Sequence, residues 1–223
     1  MNRLIICLAV TVSLVTLAAC NSKGETVKRL DTDMDSVVLS SQMVCNRNGF
    51  NVVDDCILSG NTTEDMLFTS DYGNIGPECF KGDSVIKTLT IDNTRVGVSA
   101  FEGSSVNKLV IIGDNVVLED NAFAKCSMLE SVTVSGCLGF GVFANCRSLK
   151  DVKITEGVKT VYSGTFSNCG VIECVEIPST MINLTSGAFE GTTVKKIVGY
   201  SNTIAEYLAN ELNAEFVSLG DVE

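Results

Sequence analysis

Apolar residues recur along this chain in one compound pattern. A small residue and a phenylalanine are followed, after a short polar stretch, by three apolar positions, the last two separated by a single residue. The phenylalanines are Phe80, Phe101, Phe123, Phe143, Phe166 and Phe189, and the step from each to the next is almost constant. The clearest unit runs from Thr165-Phe166 through Cys169 to Ile172, Val175, Ile177 and Pro178. Val142-Phe143 with Cys146, Leu149, Val152 and Ile154 repeats it, as does Ala122-Phe123 with Cys126, Leu129, Val132 and Val134. Phe80 keeps the spacing with Ile86, Leu89 and Ile91 but has Asp83 in place of the cysteine. Phe101 and Phe189 share a variant one position shorter, in which Glu-Gly follows the ring.

Apolar residues two apart point to one face of a strand, with the residue between them pointing away. A fixed sequence period of this kind marks a repeat architecture whose units cannot bury an apolar face alone and must stack. The pattern therefore predicts short parallel strands piled into a coil, with Phe, Leu and Val/Ile columns inside. A second apolar pair, Val158 with Val161 and then Met181 with Leu184, marks the return leg, and Gly157, Gly164 and Gly187 are placed to turn it. Only the Phe123-to-Phe143 unit departs strongly, with Gly-Cys-Leu-Gly-Phe where its return leg belongs.

The motif resembles that of the BspA-like leucine-rich repeat family, in which Ala-Phe, Cys, Leu, Val and Ile-Pro recur at about this period. The resemblance covers roughly residues 76–200. It implies a curved right-handed leucine-rich-repeat solenoid of about six repeats, each of about 20–23 residues. It also implies a cell-surface or secreted protein, some relatives serving as adhesins. The family motif is a packing motif, so it carries no ligand-binding residues with it.

Both ends need covers, because a solenoid exposes a raw apolar cross-section. Residues 37–75 lack the repeat and read as an N-terminal cap with short strands at Val37-Val38-Leu39 and from Phe50 to Leu58. Residues 201–223 read as a C-terminal cap: Thr203-Ile204-Ala205-Glu206 forms a capping box opening a helix. Ile204, Tyr207, Leu208 and Leu212 are expected on one stripe of it, and a strand follows from Ala214 to Leu219.

The first nineteen residues change the picture of location. Arg3, an apolar run from Leu4 to Leu17 and the ending Leu17-Ala18-Ala19-Cys20 look like a bacterial lipoprotein signal, with Cys20 the lipidated new N-terminus; the competing readings are an ordinary secretory signal cleaved nearby or a cytosolic chain with an apolar start. Residues 20–36 then form a tether. Its aspartates Asp31, Asp33 and Asp35 fail the calcium-loop pattern, since Ser36 and Gln42 stand where Gly and Glu are needed. Loss of the leader takes the formal net charge from −11 to −12, which argues against nucleic acid and anionic lipid surfaces as partners. Of ten cysteines, Cys126, Cys146 and Cys169 share one repeat column and are expected as buried free thiols. Cys45 and Cys56 are the better disulfide candidates, while Cys79, Cys137 and Cys174 stay unassigned.

Catalytic chemistry finds little support. The chain has no histidine and no tryptophan, no Cys-x-x-Cys pair and no phosphate-binding glycine loop. The expectation is no enzyme and no cofactor or metal, with a protein ligand bound on the outward strand positions. Those form ladders: Thr90, Val110, Thr133, Lys153, Glu176 and Val198, flanked by Thr88, Lys108, Ser131, Asp151, Cys174 and Lys196. They contain no aromatic. Val110 and Ile112 are the apolar members, either a seed for a protein contact or irregular packing under a loop. Two functions remain open: a lipid-anchored envelope or outer-membrane protein binding a protein ligand, in adhesion to host or microbial surfaces, or a structural or assembly component inside the envelope with no host ligand.

Overall fold

A computed structural model describes residues 18–20, 26–29, 44–47, 50–53 and 56–222, with side chains at Phe50 and from residue 56 onward. The signal segment before residue 18, most of the tether and the side chain of Cys20 lie outside the described residues, as does Val37-Val38-Leu39. Backbone strands at Ala18–Cys20 and Thr26–Arg29 fall within the stretches expected as leader and tether.

Eight strands form one parallel sheet: β1 (Asp65–Thr69), β2 (Thr88–Asp92), β3 (Lys108–Ile112), β4 (Ser131–Val134), β5 (Asp151–Ile154), β6 (Gly170–Glu176), β7 (Thr192–Ser201) and β8 (Glu215–Asp221), adjacent in chain order. Each is one rung of the coil. The return legs make a second sheet of two-residue strands, Asn74–Ile75, Arg95–Val96, Val117–Leu118 and Cys137–Leu138, also parallel. On its N-terminal side this sheet continues through Cys56–Gly60 into antiparallel Phe50–Val53 and Val44–Arg47. The fold is thus a parallel leucine-rich-repeat solenoid of about eight turns with one helix.

Two rungs lie outside the 76–200 span of the phenylalanine repeat. β1 alternates correctly, with Phe68 fully buried and Leu67 outward, but no repeat phenylalanine sits in its own bend. Its aromatic layer comes from elsewhere: Phe50 packs 5.4 Å from Phe68 and 6.2 Å from Phe80. β8 extends the sheet at the other end by pairing parallel with β7.

The six repeat phenylalanines are buried, and from Phe80 to Phe189 their rings stack at centroid distances of 5.2, 5.0, 5.8, 5.5 and 5.3 Å. Stacked strands sit only about 4.8 Å apart. The ring column is therefore spaced more widely than stacked strands ordinarily are. The bend around each ring requires a left-handed residue two places after it, and Gly82, Gly103, Lys125, Asn145, Asn168 and Gly191 all have positive φ there. Of the three glycines expected to turn the return leg, Gly157 and Gly164 are left-handed. Gly187 is not; it lies in a short 3₁₀ turn, Ser186–Phe189.

The column cysteines have a specific task. Cys126, Cys146 and Cys169 donate Sγ–H bonds to the carbonyls of Phe101, Phe123 and Phe143, at 3.1 to 3.2 Å, each reaching back one turn. Burial pushes the Cys169 thiol up to about 11, which keeps it a neutral donor. In the next turn Thr192 Oγ1 takes over, donating to the Phe166 carbonyl at 2.7 Å. A buried carbonyl without such a partner costs about 1–3 kcal/mol. Cys56, one of the two disulfide candidates, is a free thiol, and the side chain of Cys45 lies outside the described residues. Cys137 is an exposed thiol and Cys174 a half-buried one.

At the C-terminus the helix Ile204–Leu212 bridges β7 and β8. Thr203 Oγ1 accepts from the Ala205 amide, while Glu206 reaches back to the Asn202 amide at 2.7 Å, one residue earlier than the usual reciprocal partner. Ala205, Leu208 and Ala209 face the core. Tyr207, expected on that stripe, is 62% exposed, because the small side chains of Ala205 and Ala209 bring the helix in on a slightly different face.

Across three turns the outer surface carries an ion chain. Glu102 accepts from Lys125 at 2.8 Å and from Lys81 at 3.1 Å, and the Lys125 hydrogen bond, with Lys81 helping against burial, holds its carboxyl down at about 2. A carboxyl lowered on folding stabilises the protein above its ordinary value near 4.5, and the effect is lost as pH falls from there towards 2. Both lysines are exposed, so solvent screening keeps the effect small. In urea melts, Glu102→Gln should be slightly less stable at neutral pH, with the gap closing between pH 4.5 and 2; a gap independent of pH would reject the ion chain as its cause.

Candidate binding surface

Because the strands are parallel and in register, each outward residue stands beside its counterpart on the next turn. The central line reads Leu67, Thr90, Val110, Thr133, Lys153, Glu176, Val198 and Val217, every step an observed pair. Inward residues alternate with them and fill the core. A groove of about 650 Å³ lies along this face. It is lined by Val110, Ile112, Thr133, Lys153 and Glu176 among others, so five of the six sequence-derived surface candidates share one site. Thr90 belongs to the same ladder but lies outside the groove.

The groove has apolar ends and a charged middle. Val110 and Ile112 form one end, and Ile112 is 49% exposed. Val198, Tyr200 and Leu219 form the other end. Between them Lys153 Nζ and Glu176 Oε2 meet at 2.8 Å, and the carboxylate pushes the Lys153 ammonium above its ordinary value. Asp114 and Glu156 stand on the rim.

Tyr200 is the residue that sequence reasoning missed. β7 does not stop at Val198 but runs on through Gly199, whose inward position has room for nothing larger: a Cβ there would lie 2.4 Å from Ala205 Cβ. That keeps the alternation going and turns Tyr200 outward into the groove. The signal was present in Ile197-Val198-Gly199-Tyr200, with glycine occupying a core position.

Among the described residues no three His, Cys, Asp or Glu side chains gather in a metal-binding arrangement, and no helix is long and apolar enough to cross a membrane.

A family model described as the BspA type leucine rich repeat region matches residues 40–130 and 136–217, in six copies. The chain belongs to the BspA-type leucine-rich-repeat family. The break between the two matched stretches falls inside the shortened unit, on the strand Ser131–Val134 and just before Gly136 leads into Cys137–Leu138. Among solved structures, the BspA-type chain is similar to the crystal structure of the pneumococcal vaccine antigen PcpA, at 15% identity and a TM-score of 0.51. The likeness covers 70% of this chain and 49% of that one, and it shows a shared fold. No curated protein matches the chain. Solenoids of this kind are typically scaffolds whose extended concave surface engages other proteins.

Proposed function

We propose that this BspA-type protein is carried on the cell envelope by a lipid at Cys20 and binds a protein ligand in its concave groove, in adhesion to host or microbial surfaces. The observation that supports the reading is the groove itself. It presents solvent-exposed apolar residues at both ends of a polar centre, on a face where core packing requires none. Buried apolar and aromatic anchors ringed by polar residues are how protein interfaces concentrate their affinity. The acidic rim and the net charge of −12 left after loss of Arg3 with the leader (−11 for the full chain) favour a partner with basic flanks. Family membership supports a protein-interaction scaffold over an enzyme, as does the lack of histidine anywhere in the chain.

The test is binding of the purified protein to a panel of matrix proteins, microbial surfaces and envelope extracts at micromolar concentration. A ligand found there should lose at least tenfold in affinity to Ile112→Asp, about 1.4 kcal/mol or more. Ile112 is half exposed, so the fold should persist. Binding that is absent throughout, or indifferent to Ile112→Asp, rejects the groove. Acyl labelling that survives Cys20→Ser rejects the anchor separately.

A further inference from the structure

Phe140 and Tyr162 stand out on the return-leg side, away from the groove. Their rings meet at a centroid distance of 4.8 Å and an angle of 36°, yet they are 56% and 41% exposed. The repeat gives them no packing role. The neighbouring turns place Asp120 and Ser163 where Phe140 stands, and Gly139 and Thr185 where Tyr162 stands. Both rings are nonetheless held on pinned backbone. The Phe140 amide donates to Asp120 Oδ1 at 2.8 Å, and Thr165 Oγ1 donates to the Tyr162 carbonyl at 2.8 Å.

Beside Tyr162 lies a notch of about 250 Å³, floored by Gly136, Cys137 and Leu138 and flanked by Asp114, Lys159 and Thr160. It lies at the shortest unit of the chain; Tyr162 lines it, and Phe140 adjoins it through the ring contact with Tyr162. The site therefore joins a bent aromatic platform to polar groups able to donate and accept hydrogen bonds.

We propose that this is a carbohydrate subsite for one neutral pyranose ring. A pyranose has an apolar C–H face to lie on aromatic rings and hydroxyls around its edge for side chains such as Asp114, Lys159 and Thr160. Two rings and a notch are far too small for a protein partner, which needs about 800 Å² on each side. Asp114 lines the notch beside Lys159, and Asp120 holds the Phe140 amide, so the site carries no net positive charge to draw phosphate or other anions. The site shares Asp114 with the groove rim, but its aromatic rings do not line that groove, so it stands whether or not the groove binds protein.

Saturation-transfer NMR on the full-length protein, in a detergent without a sugar headgroup, tests it. The probes are the methyl glycosides of glucose, galactose, mannose and N-acetylglucosamine at about 10 mM, suited to a Kd near about 1 mM. At least one should receive saturation on the C–H protons of one ring face. The double variant Phe140→Ser, Tyr162→Thr carries residues that the next turns already accommodate at those places (Ser163 and Thr185), so it should fold and weaken binding at least tenfold. Tyr162→Phe should keep the signal, and Tyr207→Ala, exposed on the helix, should leave it unchanged. No transfer to any of the four glycosides overturns the proposal, as does transfer that survives the double variant or stronger binding of glucose 6-phosphate than of methyl glucoside.

Discussion

Phe143→Ala should lower stability by about 3–5 kcal/mol. The ring is fully buried and sits between Phe123 and Phe166 at 5.8 and 5.5 Å, nearly parallel to both. Removing it loses the transfer energy of a buried aromatic, leaves a cavity that the pinned bends on either side cannot close, and breaks two ring stacks at once. In a solenoid each turn touches only its neighbours, so a defect at this rung also weakens the coupling between the two halves of the stack. For a chain of this size the shift is about 2–4 °C per kcal/mol, a fall in Tm of about 6–20 °C. The transition should broaden as well. Phe189, with one stacked neighbour among the repeat rings, should cost less when truncated. Thermal and urea melts followed by circular dichroism decide it: an unchanged melting temperature would show that Phe143 does not hold the turns together.

The periodic part of the fold was legible for a physical reason. Every turn meets the same packing problem, so the same residue types recur and the phenylalanine and Val/Ile columns can be read from spacing. What could not be read lies where one turn solves the problem differently. Lys125 adopts a left-handed conformation that glycine or asparagine fills in the other turns, and nothing about lysine announces it. The first rung takes its aromatic layer from Phe50, on another strand well before Phe68, so the count of phenylalanines in register stops short of the count of rungs. Tyr200 was hidden because its strand passes through a glycine at a core position. The outward face was legible as the alternate positions of each strand. What that face engages was not, because the motif records only what the interior needs. Gly-Cys-Leu-Gly-Phe was visible as a misfit, and it is there that the notch and the exposed Phe140 appear.

Gly136→Ala should cost about 2–5 kcal/mol, from two separable sources. Gly136 has φ of +78°, a conformation that costs a residue with a Cβ about 1–2 kcal/mol. The added Cβ would also lie 2.2 Å from the Val116 carbonyl oxygen and 2.9 Å from its carbon, a clash with backbone that no side-chain rotation relieves. Overpacking of this kind costs about 1–3 kcal/mol. The approach is close because the shortened unit has no rim loop: Ser135 hydrogen-bonds the Ile111 and Gly113 carbonyls, and the Cys137 amide binds that same Val116 oxygen at 2.8 Å. Gly136 must turn the chain in the space between. Gly82 provides the comparison, since its φ is +69° and its added Cβ would meet nothing within 4 Å. Gly82→Ala should therefore show the conformational cost alone, and Gly136→Ala should exceed it by at least about 1 kcal/mol in paired urea melts. Equal costs would mean that the close passage over Val116 is not what requires glycine there. A larger cost, accompanied by weakened sugar binding at Phe140 and Tyr162, would tie the notch to the same turn.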